Sequence, residues 1–182
     1  MKRICIFGGA SKGKNIIYTE KAKQFGELIA KKNIELIFGG GNDGIMGVVS
    51  NAVLQKGGKV TSVIIKKLLP HLNKQSNETI ILEKMSERKD KMVEIADCFF
   101  VLPGGLGTSD EFFNVFTLLQ LKIIDKPIVL LNFGGYYNKL IDALKFMVEE
   151  NFLDDKVFNL LIIEDDPKKA IEKCLDSDFS KG

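Results

Sequence analysis

The chain has 182 residues, 45% of them apolar and 27% charged, ordinary values for a globular protein that buries one sizeable core. Its 26 basic and 24 acidic side chains leave a net charge of +2, which excludes the basic stripe of a nucleic-acid binder. No apolar run reaches membrane-spanning length, and "MKRICIFGG" is too short in its apolar part for a secretory signal, so the cytoplasm is the expected location.

Strand and helix patterns alternate from the first residues onward. "RICIF" (3–7) reads as a strand and is followed by the loop "GGASKGKN". Residues 18–32 place Tyr18, Ala22, Phe25 and Ile29 on one helical face. "IELIF" (34–38) is the next strand, closed by Gly39-Gly40-Gly41, and a helix through Met46, Val49, Val53 and Leu54 stops at Gly57-Gly58. "KVTSVII" (59–65) is a third strand, and residues 66–77 read as the longest loop. "TIILE" (79–83) leads into a helix near "MSERKDKMVEIA". "CFFVL" (98–102) is apolar at every position, as a strand covered on both faces should be. The alternation continues through "DEFFNVFTLLQL", "PIVLL", "YYNKLIDALKFMVEEN", "NLLII" and "PKKAIEKCL", and the polar end, 177–182, is expected to fray.

About six or seven strands alternating with helices predict a single doubly wound, Rossmann-like α/β domain over residues 1–176, with a largely parallel sheet. Such sheets bind ligands at the carboxyl ends of their strands. Three glycine-rich loops, 8–13, 39–47 and 103–108, each follow a strand and should gather on that edge. Cys5, Cys98 and Cys174 are far apart in sequence and read as thiols in a reducing compartment rather than as disulfides or metal ligands. With His71 as the only histidine, no metal constellation can be assembled.

The loops carry the chemistry. "FGGGNDGIMG" contains Gly39-x-Gly41-x-x-Gly44, but it follows the second strand, and "TSVIIKKLL" supplies no acid for a ribose hydroxyl as a dinucleotide site requires. Its glycines suit either tight packing or ligand contact. In "PGGLGTSDE", Pro103 ends the strand, Gly104, Gly105 and Gly107 let the backbone approach a ligand, and Thr108 reads as the N-cap of a helix whose free N–H groups suit a phosphate. Thr108-x-x-Glu111 also fits a capping box, which would give Glu111 a structural task. Arg88 and Lys89 fall in the first turns of a helix, where cations are disfavoured by the helix dipole unless solvent or an anionic ligand compensates.

"MSERK" followed by "PGGLGTSDE" resembles the paired signature of the LOG family, the cytokinin riboside 5′-monophosphate phosphoribohydrolases, whose members have often carried the label "lysine decarboxylase". The likeness extends from "CIFGGASKG" through "FGGGNDGIMG" to "TLLQLKIIDKPIVLLNFGGYYNKLID". It implies that Arg88 and Glu111 are catalytic, and that Met85, Lys89, Gly104, Gly105, Gly107, Thr108 and Thr117 contact substrate. Ser86 replaces a common histidine of the family, Asp110 an often-seen glutamate, and "SVIIKKLLPHL" lacks the usual proline after the third strand.

The resemblance implies metal- and cofactor-independent hydrolysis of a purine nucleoside 5′-monophosphate, AMP or an N6-substituted AMP, to free base and ribose 5-phosphate by a homodimer. Glu111 would face the cation that develops at C1′, and Arg88 would hold phosphate or ribose oxygens or position Glu111. The group that protonates the departing base stays open between Asp110 and a water. The rival reading is a carrier that binds a nucleotide or cofactor without turnover. A decarboxylase would need a Schiff-base lysine for pyridoxal phosphate, and no lysine stands in a supporting motif. The helix from "EFFNVFTLLQLKII" is apolar nearly all round and must be covered on more than one side.

Overall fold

The computed structural model describes residues 2–176, so the end expected to fray lies outside the described residues. In chain order the elements are β1 (Arg3–Phe7), α1 (Ile16–Lys31), β2 (Glu35–Phe38), α2 (Gly44–Gln55), β3 (Val60–Ile65), β4 (Glu78–Leu82), α3 (Met85–Ile95), β5 (Cys98–Val101), α4 (Leu106–Gln120), β6 (Ile128–Leu131), α5 (Asn138–Glu149), α6 (Asp155–Phe158), β7 (Leu161–Glu164) and α7 (Pro167–Asp176).

The seven strands form one parallel sheet in the order β4-β3-β2-β1-β5-β6-β7. The chain builds outward from β1 to β4, then returns to β5 on the other side of β1 and builds outward again. The switch point therefore lies between β1 and β5, where the loops after these strands diverge and leave a crevice.

Period-two alternation decides what each face buries. Ile4, Ile6, Leu36, Phe38 and Phe100 pack with Phe25 and Ile29 of α1, Val49 of α2 and Ile171 of α7. Cys5, Phe7, Ile37, Phe99 and Val101 pack with Met92 of α3, Phe112 and Phe116 of α4 and Leu144 of α5. β5 contributes to both clusters, which is why "CFFV" has no polar position.

α2 ends as its glycines predict. Gly57, at φ +75°, donates its N–H to Leu54 O at 2.9 Å, and Gly58 donates to Val53 O at 2.9 Å. These paired bonds satisfy carbonyls that the helix would leave open.

Residues 66–77 differ from the loop expected there. Lys66–His71 form a 3-10 helix with Pro70 inside it. The segment after it is clamped: Asn42 N–H donates to His71 O at 2.9 Å, and Asn73 N–H donates to Gly40 O at 2.7 Å. The buried Asn73 side chain also donates to Ser50 Oγ and Asn51 Oδ1, each at 3.0 Å. A polar stretch with one proline carries no local sign of these distant partners. Two further short elements escape the sequence pattern, α6, started by the Asp154 carboxylate, and the 3-10 turn Phe133–Gly135.

Candidate active site

The loops after β1, β2, β3 and β5 enclose a cleft of about 670 Å³ at the carboxyl edge of the sheet. All three glycine-rich loops reach it, as their positions after strands require. The first and third touch directly, with Gly9 N–H donating to Pro103 O at 3.0 Å.

The floor is a buried ion pair. Arg88 lies one turn into α3 and is 5% exposed, while Glu111 lies one turn into α4 and is 8% exposed. Arg88 Nη1 donates to Glu111 Oε1 at 2.8 Å, and Arg88 Nε donates to Val63 O of β3 at 2.9 Å. One end of the guanidinium is thus fixed by the sheet and another by the carboxylate. Gly39 makes the fit possible, because a Cβ there would overlap the guanidinium. Burial pushes the Glu111 carboxyl above its ordinary range, and Arg88 pulls in the opposite direction. The Glu111 carboxylate is thus both desolvated and held in place by the Arg88 guanidinium.

The capping-box account of Glu111 is overturned. α4 begins at Leu106 with Gly105 as its N-cap, so Thr108 is the third helical residue and not the cap. A charged guanidinium is also a stronger donor than a neutral amide, and it takes the carboxylate. The box motif occurs instead on α3, where Glu87 accepts the Lys84 N–H at 3.2 Å. A lysine cap hides it from a search for Ser or Thr.

Above the ion pair stands the start of α4. The N–H groups of Leu106, Gly107 and Thr108 have no backbone acceptor among the described residues, and the first helical bond is Ser109 N–H to Gly105 O at 3.0 Å. Such groups, together with the helix dipole, favour an anion. Gly104 is locked, since a Cβ there would overlap the Thr108 side chain. A Cβ on Gly105 or Gly107 would meet nothing. Two tyrosines brace the turn from below, Tyr136 donating to Gly104 O and Tyr137 to Leu102 O, the latter at 2.6 Å. Burial raises the Tyr137 phenol far above its usual value, so it stays a donor. Sequence reading missed both, because the pattern "FGGYYN" gives no hint of partners more than thirty residues away.

Of the residues singled out from the sequence, Met85, Arg88, Gly105, Gly107, Thr108, Asp110 and Glu111 meet at the cleft. Gly104 supports the turn from behind. Lys89 is not part of the cleft wall and pairs with Asp110 at 3.2 Å. Thr117 is exposed, two turns farther along α4. The second glycine loop divides its tasks: Gly39 and Gly41 border the cleft, whereas Gly44 and Gly47 pack against the backbone of Ala10 and Asn42. Leu68 and His71, from the 3-10 helix, complete a wall that the sequence did not reveal.

A family model described as "Possible lysine decarboxylase" matches residues 46–174. The chain is 40% identical over 176 residues to the probable cytokinin riboside 5′-monophosphate phosphoribohydrolase LOGL2 of Oryza sativa subsp. japonica, covering 94% of this chain and 71% of that one. It is 38% identical over 177 residues to the cytokinin riboside 5′-monophosphate phosphoribohydrolase LOG1 of Arabidopsis thaliana, covering 96% and 83%. Among solved structures, a molybdenum cofactor binding protein from Rippkaea orientalis superposes with a TM-score of 0.72 at 23% identity, covering 94% of this chain and 93% of that one. The Moco carrier protein of Chlamydomonas rheinhardtii gives a TM-score of 0.69 at 21% identity, covering 97% and 98%. These structural likenesses establish the fold alone. The matched family model and the extended identity to its curated relatives place the chain in the LOG family of cytokinin riboside 5′-monophosphate phosphoribohydrolases.

Proposed function

We propose that the protein hydrolyses the N-glycosidic bond of a purine nucleoside 5′-monophosphate, AMP or a cytokinin-type N6-substituted AMP, releasing free base and ribose 5-phosphate. The observation that carries this reading is the buried Arg88–Glu111 pair beneath the open start of α4. The 5′-phosphate sits on the free N–H groups of Leu106, Gly107 and Thr108, with Gly105 and Gly107 leaving room for it. The ribose then lies over Glu111. As the bond to the base stretches, positive charge grows on C1′ and the ring oxygen, and the carboxylate stabilises it while accepting a proton from the attacking water. Arg88 keeps that carboxylate aimed and offers its remaining donors to substrate oxygens.

A carrier gains nothing from a buried acid beside a phosphate, so the ion pair favours turnover. Among the described residues no lysine borders the cleft, which leaves a decarboxylase without its Schiff-base amine. The buried thiols Cys5, Cys98 and Cys174 suit a cytoplasmic setting.

The assembly in this reading is a homodimer. α4 buries Phe112, Val115, Phe116 and Leu119 in its own core but leaves Leu106, Phe113, Thr117 and Leu121 on an exposed stripe. Leu106 is 91% exposed at the cleft mouth. A second copy seated on this stripe would cover it and bring Thr117 towards the partner's cleft, where it could contact substrate. Light scattering at micromolar concentration should return about twice the 20.3 kDa of one chain. A particle of single-chain mass would count against the dimer.

The test of the activity is incubation with a panel of nucleoside 5′-monophosphates and the matching nucleosides, with detection of free base. Monophosphates should be cleaved and nucleosides cleaved far more slowly, because phosphate binding energy aligns the scissile bond. Equal rates for AMP and adenosine would remove the role given to α4.

A further inference from the structure

We propose that His71 is the group that protonates the departing base. The inference rests on the hydrolase reading above and concerns the step which that reading leaves without a donor.

The sheet order gives the cleft a direction. The phosphate turn follows β5 and touches the loop after β1, whereas the opposite wall comes from β3 and the 3-10 helix behind it. Between them lie Arg88 and Glu111. A nucleotide with its phosphate on α4 and its C1′ over Glu111 must therefore place its base against the β3 side. That wall is apolar, formed by Ile64, Leu68 and Met85, with His71 as its one titratable group. Apolar side chains suit the faces of a purine, and an imidazole suits the ring nitrogens at its edge.

The other polar residues of the cleft are elsewhere or occupied. Ser11 belongs to the β1 loop beside the phosphate turn, and Thr108 and Asp110 stand on α4 itself, with Asp110 paired to Lys89. Arg88 and Glu111 hold each other. Among the described residues none hydrogen-bonds the His71 imidazole. Its backbone, by contrast, is tightly held: Asn42 N–H binds His71 O, Leu72 bridges Gly41, and the buried Asn73 ties the next residue to α2. A fixed backbone carrying an unengaged ring at the base end of the cleft is the arrangement a proton donor needs.

The C1′–N9 bond breaks and its electron pair goes to the purine. The imidazolium of His71 gives its proton to a purine ring nitrogen, so the base leaves neutral. Water adds its oxygen to C1′, and its proton passes to Glu111. Solvent then carries a proton from Glu111 back to His71.

The experiment compares wild type with His71→Gln on two substrates: the adenine nucleotide hydrolysed fastest in the panel, and 6-chloropurine riboside 5′-monophosphate, whose base departs more readily without a proton. His71 is exposed and its anchoring bonds are backbone bonds, so the variant should keep its circular dichroism spectrum and melting temperature. Turnover of the adenine nucleotide should fall about a hundredfold or more, while the loss on the chloropurine nucleotide shrinks to a few-fold. Affinity for ribose 5-phosphate, which lacks the base, should not change. A loss below threefold on the adenine nucleotide, or equal losses on both substrates, would overturn the role of His71. A wild-type protein that releases no base from any nucleotide would overturn the hydrolase reading itself, and the two failures are told apart in the wild-type arm.

Discussion

Two glycine turns in this molecule look alike in sequence and do opposite things. "GGGNDGIMG", after β2, is filled by the protein itself: the Arg88 guanidinium occupies the space beside Gly39, and the Ala10–Ser11 backbone presses against Gly44. "PGGLG", after β5, has Gly104 packed from within, but Gly105 and Gly107 face open space at the cleft. A glycine motif therefore does not say what the missing side chain makes room for. What a Cβ would meet at each position does. The first turn makes room for the protein's own Arg88, and the second leaves space open at the cleft, where the proposed phosphate would sit.

Substitutions should separate the two turns sharply. Gly44→Ala would force a side chain onto φ +64° and into the Ala10–Ser11 backbone. We expect a loss of about 3 kcal/mol or more, seen as a fall in melting temperature on the order of 10 °C. Gly39→Ala should be costly through Arg88, so its effect and that of Arg88→Ala should be strongly non-additive in a double-mutant cycle read by chemical denaturation. Additive losses would mean that Gly39 does not make room for the guanidinium.

A second difference appears with pH. Because burial raises the Glu111 carboxyl in the folded protein, the folded state holds its proton to higher pH than the unfolded chain does. The contribution of Glu111 to stability should therefore fall as pH rises from the ordinary carboxylate range to the raised value. If Glu111 acts as the proposed base, turnover should rise over the same interval, because that role needs the ionised form. Glu111→Gln should remove this contribution, so the stability difference between wild type and variant should change with pH over that interval. A pH–rate profile whose acid limb sits at the ordinary carboxylate value would contradict the burial argument.

Effects become smaller at the open turn. Gly105→Ala should change stability by no more than about 1 kcal/mol, yet weaken ribose 5-phosphate binding, as calorimetry would show. Unchanged phosphate affinity would place the anion elsewhere. Lys89→Ala should be smallest, within about 1 kcal/mol, since Lys89–Asp110 is a partly exposed pair.

Much of the fold is legible in the sequence. The alternation of "RICIF", "IELIF" and "CFFVL" with helical stretches carries the sheet, because strand period and burial are written locally. Bringing three post-strand loops to one edge follows from topology alone. Glu111 could not be assigned in the same way. Thr108-x-x-Glu111 satisfies a local capping rule, and the earlier helix start at Gly105 together with the long-range approach of Arg88 decides against it. Tyr136, Tyr137 and His71 were hidden for the same reason. Each acts at a place fixed by hydrogen bonds between segments distant in the chain, for which neither periodicity nor spacing leaves a mark.

The central claim is that the Glu111 carboxylate does chemistry on a nucleotide held by the start of α4. Single-turnover base release by Glu111→Gln, with nucleotide affinity measured on the same sample, tests it most directly. Gln keeps the length of the side chain and an oxygen for Arg88, so folding should survive. Base release should fall roughly a hundredfold to ten-thousandfold, while nucleotide binding stays equal or tightens once a carboxylate no longer faces the phosphate. A variant that binds nucleotide and still releases base at close to the wild-type rate would contradict the account.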